Sequence, residues 1–254
     1  MKLARFEVDG HAVEGRVRAD GRLETSAGAT YAPEAVRWLP PVVGTKAVGL
    51  ALNYREHAAE LSMTTPPEPA LFFKPLSSLV GHRAAVVAPN NIEYMHYEVE
   101  LVVVIGQRCR HVKPEHASRV IAGYTIGNDV TVRDFVNNFY RPPVKAKGWD
   151  TFGPLGPFMA TADEIGDPEH LNLRTFVNGE LRQQGNTHDM LRPVPELIAY
   201  ITHFMTLEPG DTLWTGTPSG LSHVYPGDVM RLEIDGLGVL ENPIVADEPG
   251  EADV

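Results

Sequence analysis

The sequence contains a single cysteine, Cys109, among 254 residues. That excludes an internal disulfide and any cysteine-based zinc cluster. Basic residues are also scarce: 22 Lys and Arg against 33 Asp and Glu leave a formal net charge of −11. Nucleic acid and anionic membranes both call for a basic patch, so neither is expected as a partner. No apolar run reaches the roughly 18 uncharged residues of a transmembrane helix. The opening stretch MKLARFEVDGHAVEG alternates polar and apolar residues and lacks the apolar core of a signal peptide, so a cytoplasmic protein is expected. Hydrophobic residues at 43% and charged residues at 22% are the mix of a folded chain rather than a disordered one.

What the chain does contain is strand and turn signals. Polar and apolar residues alternate from Phe6 to Val8 and from Val13 to Val17, with Asp9-Gly10 and Asp20-Gly21 as turns. Residues 1–43 therefore read as a small N-terminal β domain, closed by the joint Trp38-Leu39-Pro40-Pro41, and residues 44–254 as the main domain. LVVVIG at 101–106 suits a strand buried on both faces. GYTIGNDVTV, MRLEI and GVLENPIV read as further strands, and Pro-Gly-Asp turns at 209–211 and 226–228 precede β-rich runs. Helices are few. Leu197, Ile198, Ile201, Phe204 and Met205 form one apolar stripe, Pro114-Glu115 opens a helix through about Ala122, and a short one is expected from Tyr54 to Leu61. The class is mainly β with peripheral helices (α+β), without the βαβα alternation of a Rossmann or TIM arrangement.

Glu98 and Glu100 are two apart at the entry of the apolar strand, so the period of two sets both on one face. Paired carboxylates repel, and burying them is costly unless a cation intervenes. Oxygen donors without a nearby thiolate favour Mg²⁺ or Mn²⁺ over zinc. The same spacing also suits a solvated edge strand. Asp129 ends GYTIGND, where it can complete three oxygen ligands or serve as an Asx turn or helix cap. Lys147 sits in a Gly/Pro-shaped loop bordered by aromatics, which suits either a desolvated oxyanion partner or a solvated lysine. His57 and Glu60 are spaced i, i+3, which lets a carboxylate orient an imidazole for acid–base work and equally fits an exposed pair. Thr215 to Gly220, TGTPSG, is a hydroxyl-rich loop suited to a carboxylate and lacks the Gly-Lys-Ser/Thr end of a P-loop. His96, His188 and His223 show no metal-ligand spacing and read as structural.

Five motifs in order, NYxxHxxE (Asn53 to Glu60), HYExEL (His96 to Leu101), GYTIGND (Gly123 to Asp129), KGWDTFGPLGP (Lys147 to Pro157) and TGTPSG, resemble the fumarylacetoacetate hydrolase (FAH) family over roughly residues 45 to 246. The stretches Asn90 to Gly106 and Leu173 to Thr187 look most like its branch in homoprotocatechuate (4-hydroxyphenylacetate) breakdown. The resemblance implies a mixed β-roll or sandwich with a small N-terminal domain, usually a homodimer. It implies Mg²⁺ or Mn²⁺ on Glu98, Glu100 and Asp129, with Lys147 beside the metal and touching substrate oxygens. It further implies His57 and Glu60 as a water or proton relay on a lid, and Thr217 on the substrate carboxylate.

The activity so implied is decarboxylation of 5-oxopent-3-ene-1,2,5-tricarboxylate and/or isomerisation of 2-hydroxyhepta-2,4-diene-1,7-dioate, on a small 2-oxo or 2-hydroxy di- or tricarboxylate substrate. The alternatives are an acylpyruvate hydrolase or oxaloacetate decarboxylase, and a non-catalytic ligand-binding or partner subunit. Val136 stands where the hydrolases proper carry glutamine, and Leu52 where acylpyruvase-like members carry arginine. Both departures point toward the homoprotocatechuate branch.

Overall fold

The computed structural model describes residues 1–136 and 142–248. Most of the chain is built into two sheets. The larger, of twelve strands, runs through Thr30–Tyr31, Leu23–Thr25, His11–Val17, Lys2–Val8, Gly153–Thr161, Ile121–Asn128, Val99–Ile105, Thr212–Trp214, Ala47–Ala51 and Ala70–Lys74. Arg37–Leu39 pairs onto Lys2–Val8, and Leu79–Val80 onto Gly153–Thr161. The second sheet orders Glu180–Asn186, Asn172–Val177, Val229–Ile234, Gly238–Ala246 and Val86–Ala88. The mainly β expectation holds.

The N-terminal meander forms as its turns dictate. Asp9 and Gly10 both take positive φ, 51° and 77°, the backbone a two-residue hairpin requires between strands of right-handed twist. Strand Lys2–Val8 then pairs along Gly153–Thr161, so the meander extends the large sheet. Trp38 and Leu39, the start of the run read as a joint, lie in strand Arg37–Leu39, and Trp38 is buried.

Strand Val99–Ile105 is buried along its whole length, as its unbroken apolar run requires. It lies between Ile121–Asn128 and Thr212–Trp214, which excludes an edge position. Val99, Leu101, Val103 and Ile105 join the same core as Leu173, Met230 and Leu232 of the second sheet. The even-numbered residues face the other way, where Val102 packs with Ala47, Leu155 and Trp214. Glu98 and Glu100 share that second face.

Three helical segments were expected. Arg55–Glu60 and Val194–Phe204 are α-helices, the latter burying Val194, Leu197, Ile198 and Ile201. Pro114–Val120 is 3₁₀ and ends before Ala122: only Ala117 and Val120 are buried, a three-residue repeat that a 3₁₀ turn aligns. Among the described residues no helix is long and apolar enough to cross a membrane.

Candidate active site

The two-residue period and the strand register assemble three carboxylates. Val99 pairs with Asn128 and Glu100 with Gly127, which sets Asp129 beside Glu98. The Asp129 N–H donates to the Glu98 carbonyl at 3.0 Å, and the Glu98 N–H donates to Asn128 Oδ1 at 3.0 Å. Glu98, Glu100 and Asp129 are 5%, 1% and 0% exposed, and each places a carboxylate oxygen within 4.8 Å of the others. The solvated alternative for the glutamates is excluded.

Two lysines meet this cluster. Lys147, on the short helix Val144–Lys147, donates to Asp129 Oδ2 at 2.5 Å, Thr131 Oγ1 at 2.8 Å and Glu98 Oε2 at 2.9 Å. It is buried, so it is not a solvated loop lysine. Lys74, ending strand Ala70–Lys74, donates to Asp129 Oδ1 at 2.6 Å and to the Lys147 carbonyl at 2.7 Å. Aromatic faces complete both environments, Phe72 at 5.2 Å from Lys147 Nζ and Trp214 at 5.6 Å from Lys74 Nζ.

His96 and Arg133 close the far side. His96 is fully buried, with Nδ1 3.1 Å from the Tyr97 carbonyl. A proton on Nδ1 satisfies that carbonyl and leaves Nε2 to accept from Arg133 Nη2 at 3.0 Å. Arg133 also lies 3.7 Å from Glu98 Oε1, and its Nε is buried without a hydrogen-bond partner among the described residues. His96, read as structural, therefore belongs to the surroundings of Glu98.

The charges separate the two glutamates. Burial pushes Glu98 up, but Lys147, His96, His57 and Arg133 outweigh it and hold it well below the ordinary carboxylate range. Burial and the negative charges of Asp129 and Glu98 push Glu100 well above that range. Among the described residues Glu100 has no ion-pair partner; the Gly216 N–H donates to its Oε2 at 2.9 Å. Gly216 has φ 89°, and a Cβ there would press to 2.9 Å from the Asn53 Cβ, so this approach needs glycine. Burial lowers both lysines; in Lys74 it prevails, whereas in Lys147 Asp129 and Glu98 reverse it. Burial brings His96 down to about 3, which keeps it neutral.

Over the cluster lies helix Arg55–Glu60. His57 is buried, and its Nδ1 is 3.2 Å from Glu60 Oε2. Glu60 Oε1 accepts from the N–H groups of Gly220 and Leu221, at 3.0 and 3.1 Å. Glu60 thus ties the helix to the TGTPSG loop and orients the imidazole. Thr217 is 2% exposed and accepts from Gln183 Nε2 at 2.7 Å. A cleft of about 380 Å³ beside this helix is lined by Tyr54, Arg55, Glu56, His188, Asp189 and Ser219 among others. A larger one, about 770 Å³, opens beneath the N-terminal meander and shares no residue with the carboxylate site.

Lys74, Lys147 and Arg133 pair with Glu98 and Asp129, whereas Glu100, the third buried carboxylate, has no ion-pair partner among the described residues. An all-oxygen donor set with one carboxylate left unpaired fits a hard divalent cation.

The sequence profile of the fumarylacetoacetate (FAA) hydrolase C-terminal family matches residues 46–245, and the chain belongs to that family of enzymes. The 4-hydroxyphenylacetate degradation bifunctional isomerase/decarboxylase of Salmonella dublin is 51% identical over 199 residues, covering 78% of this chain and 46% of that protein. The chain thus spans about half the length of that curated relative. A 5-carboxymethyl-2-hydroxymuconate delta-isomerase from Mycobacterium smegmatis superposes with a TM-score of 0.88 at 34% identity, covering 98% of this chain and all of the other. A maleylpyruvate hydrolase from Sphingobium, solved with manganese(II) and pyruvate, superposes at 0.84 and 30% identity, covering 98% and all of each chain.

Every residue singled out in the sequence converges here: Glu98, Glu100, Asp129, Lys147, His57, Glu60 and the Thr217 loop. Lys74, His96, Arg133 and Gln183 were not anticipated. For Lys74 the signal was a charged residue closing the apolar run Ala70–Phe73, and for Arg133 its place four residues beyond Asp129.

Proposed function

We propose that this chain decarboxylates 5-oxopent-3-ene-1,2,5-tricarboxylate and isomerises 2-hydroxyhepta-2,4-diene-1,7-dioate, as a homodimer holding Mg²⁺ or Mn²⁺ on Glu98, Glu100 and Asp129. The observation carrying this reading is the buried carboxylate triad, with Glu100 lacking an ion-pair partner among the described residues and Lys147 against the other two. The 51% identity to an isomerase/decarboxylase supports the reaction class.

When bound, the cation supplies Lewis-acid polarisation of the 2-oxo carbonyl. With the carboxylates so compensated, Lys147 turns a donor to the substrate's 2-oxo oxygen and stabilises the enolate charge that develops there. Thr217 binds a substrate carboxylate, and Arg133, whose Nε has no partner among the described residues, donates to another. Loss of CO₂ breaks the bond to the departing carboxylate and leaves its electron pair in the conjugated enolate. Glu60 on His57 Nδ1 fixes the tautomer whose Nε2 is free to take up a proton, from the substrate carbon in isomerisation or from solvent in decarboxylation. His57 then delivers that proton to one carbon or another of the enolate, so decarboxylation and isomerisation share one electrostatic arrangement. Val136, half-buried after the turn Arg133–Phe135, brings no amide to position water, which agrees with a non-hydrolytic outcome.

A second reading, hydrolysis of an acylpyruvate with His57 and Glu60 activating water, is favoured by the likeness to maleylpyruvate hydrolase. One assay separates them: CO₂ release and dienol absorbance on the tricarboxylate, with Mg²⁺ and then with excess EDTA. Metal-dependent CO₂ supports the proposal. No CO₂, with cleavage of an acylpyruvate into two acids, replaces it with the second reading.

A further inference from the structure

Strand Glu180–Asn186 edges the second sheet, and Gln183 is the one residue in it that is fully buried, 1% exposed. Its amide spans two parts of the site. Gln183 Oε1 accepts from the Val99 N–H at 3.3 Å and from Thr175 Oγ1 at 3.0 Å. Gln183 Nε2 donates to Thr217 Oγ1 at 2.7 Å and to the Pro218 carbonyl at 2.6 Å. Both hydrogens and the oxygen are spent.

This amide has only one workable orientation. Rotated by half a turn, its oxygen would face the Pro218 carbonyl, acceptor against acceptor. Its NH₂ would face the Val99 N–H, donor against donor. Two backbone groups that cannot change role therefore fix the side chain, each mismatch leaving a buried polar group unpaired. It follows that Thr217 Oγ1 is the acceptor in its bond to Gln183. A hydroxyl has one hydrogen, and that of Thr217 finds no acceptor among the described residues, so it remains to donate elsewhere.

We propose that Gln183 is a positioning residue: it occupies one lone pair of the Thr217 hydroxyl and leaves the O–H to donate to the ligand, so this point of the site favours a ligand oxygen bearing no hydrogen. Carboxylate and oxo oxygens qualify; an ammonium or amide N–H in the same place would take the second lone pair and leave the Thr217 hydrogen without an acceptor among the described residues, so it binds less well. The inference rests on Thr217 facing the ligand, as in the function proposed above.

The test uses pyruvate, the simplest 2-oxo acid, titrated calorimetrically into the Mn²⁺-loaded protein. Thr217→Val is expected to weaken pyruvate binding at least tenfold. Gln183→Met removes the donor at nearly constant shape, and the Thr217 hydroxyl then turns to the Pro218 carbonyl it neighbours. Pyruvate binding should weaken five- to tenfold with Thr217 present and less than twofold in the Thr217→Val background, with Mn²⁺ affinity held within threefold. That last readout matters because Gln183 also holds Val99, between two of the carboxylates: a merely structural role would move Mn²⁺ affinity in parallel. Should Gln183→Met fail to fold, Gln183→Glu carries the same cycle, its added charge cancelling between the two backgrounds.

Unchanged pyruvate binding in Thr217→Val overturns the placement of Thr217, and this inference with it. A weakened Thr217→Val beside an unaffected Gln183→Met overturns the positioning role alone. Losses that multiply across the two sites, or a parallel fall in Mn²⁺ affinity, overturn it as well.

Discussion

Lys147 donates to Asp129 at 2.5 Å and also to Glu98 at 2.9 Å, so one ammonium bridges two of the three carboxylates that would hold a cation. Removing one partner of a buried ion pair costs about 3–5 kcal/mol, because the charge left behind has lost its solvent as well as its partner. Lys147→Met should therefore lower the melting temperature of the metal-free protein by several degrees. Saturating Mn²⁺ should restore more than half of that loss, while turnover stays at least a hundredfold down. Thermal melts with Mn²⁺ and with EDTA check this; a deficit that Mn²⁺ leaves untouched would show that lysine and cation do not share a role.

Glu98 and Glu100 differ in their partners, and their amides should differ accordingly. Glu100 has no ion-pair partner among the described residues, and its raised protonation equilibrium records its burial and the repulsion of Asp129 and Glu98. Glu100→Gln should leave metal-free stability unchanged or raise it by up to about 1 kcal/mol. Glu98→Gln should cost about 2 kcal/mol or more, since Lys147 and Arg133 lose a charge. Both should weaken Mn²⁺ binding at least a hundredfold. Because the Glu100 equilibrium is raised on folding, its contribution is full below the ordinary carboxylate range and falls away as pH rises through the shifted value. Urea midpoints of the metal-free proteins against pH, beside Mn²⁺ titrations, test both parts.

The triad was legible because its chemistry is local. Two glutamates at a period of two before an apolar strand state their common face, and Asp129 ends the next strand in sequence. Gln183 was not legible, because its partners Val99 and Thr217 lie 84 and 34 residues away and a glutamine in a polar edge strand draws no notice. Lys74 reads as a strand terminus until the sheet brings it to Asp129, 55 residues on. His96 was passed over for want of metal-ligand spacing, yet its place two residues before Glu98 sets it against that carboxylate. Likewise nothing in the alternation of Lys2–Val8 names Gly153–Thr161 as its neighbour, since register between distant strands is set by packing.

Glu60 combines two jobs that substitution can separate. Its Oε1 holds the Gly220 and Leu221 N–H groups, and its Oε2 faces His57 Nδ1. Glu60→Gln keeps an acceptor for the loop but loses the charge that stabilises an imidazolium. Its kcat should fall about 10- to 100-fold, with trypsin cleavage after Arg55 unchanged. Glu60→Ala loses all three contacts, so the same cleavage should accelerate at least fivefold as the helix comes free. Timed digests beside steady-state rates separate the two variants; equal protease resistance would mean that the helix is held by something other than Glu60.

The acid limit of stability should report a histidine far from the chemistry. His82 Nδ1 accepts the Glu241 N–H at 3.0 Å, and its ring meets Trp38 edge-on at 5.3 Å, joining the N-terminal meander to strand Gly238–Ala246. Burial, helped by the neighbouring Arg83 charge, lowers the imidazole from 6.5 to about 4. As pH falls the unfolded chain therefore binds this proton first. Stability from His82 is full above pH 6.5 and is lost between there and about pH 4, by an amount on the order of 2–3 kcal/mol. His82→Asn keeps an acceptor near Nδ1 but does not titrate. It should cost about 1 kcal/mol at pH 8 through the lost contact with Trp38, and lose less than the wild type on going to pH 5. Urea midpoints of both proteins at the two pH values decide the matter, and parallel losses would mean that His82 charges freely in the folded state.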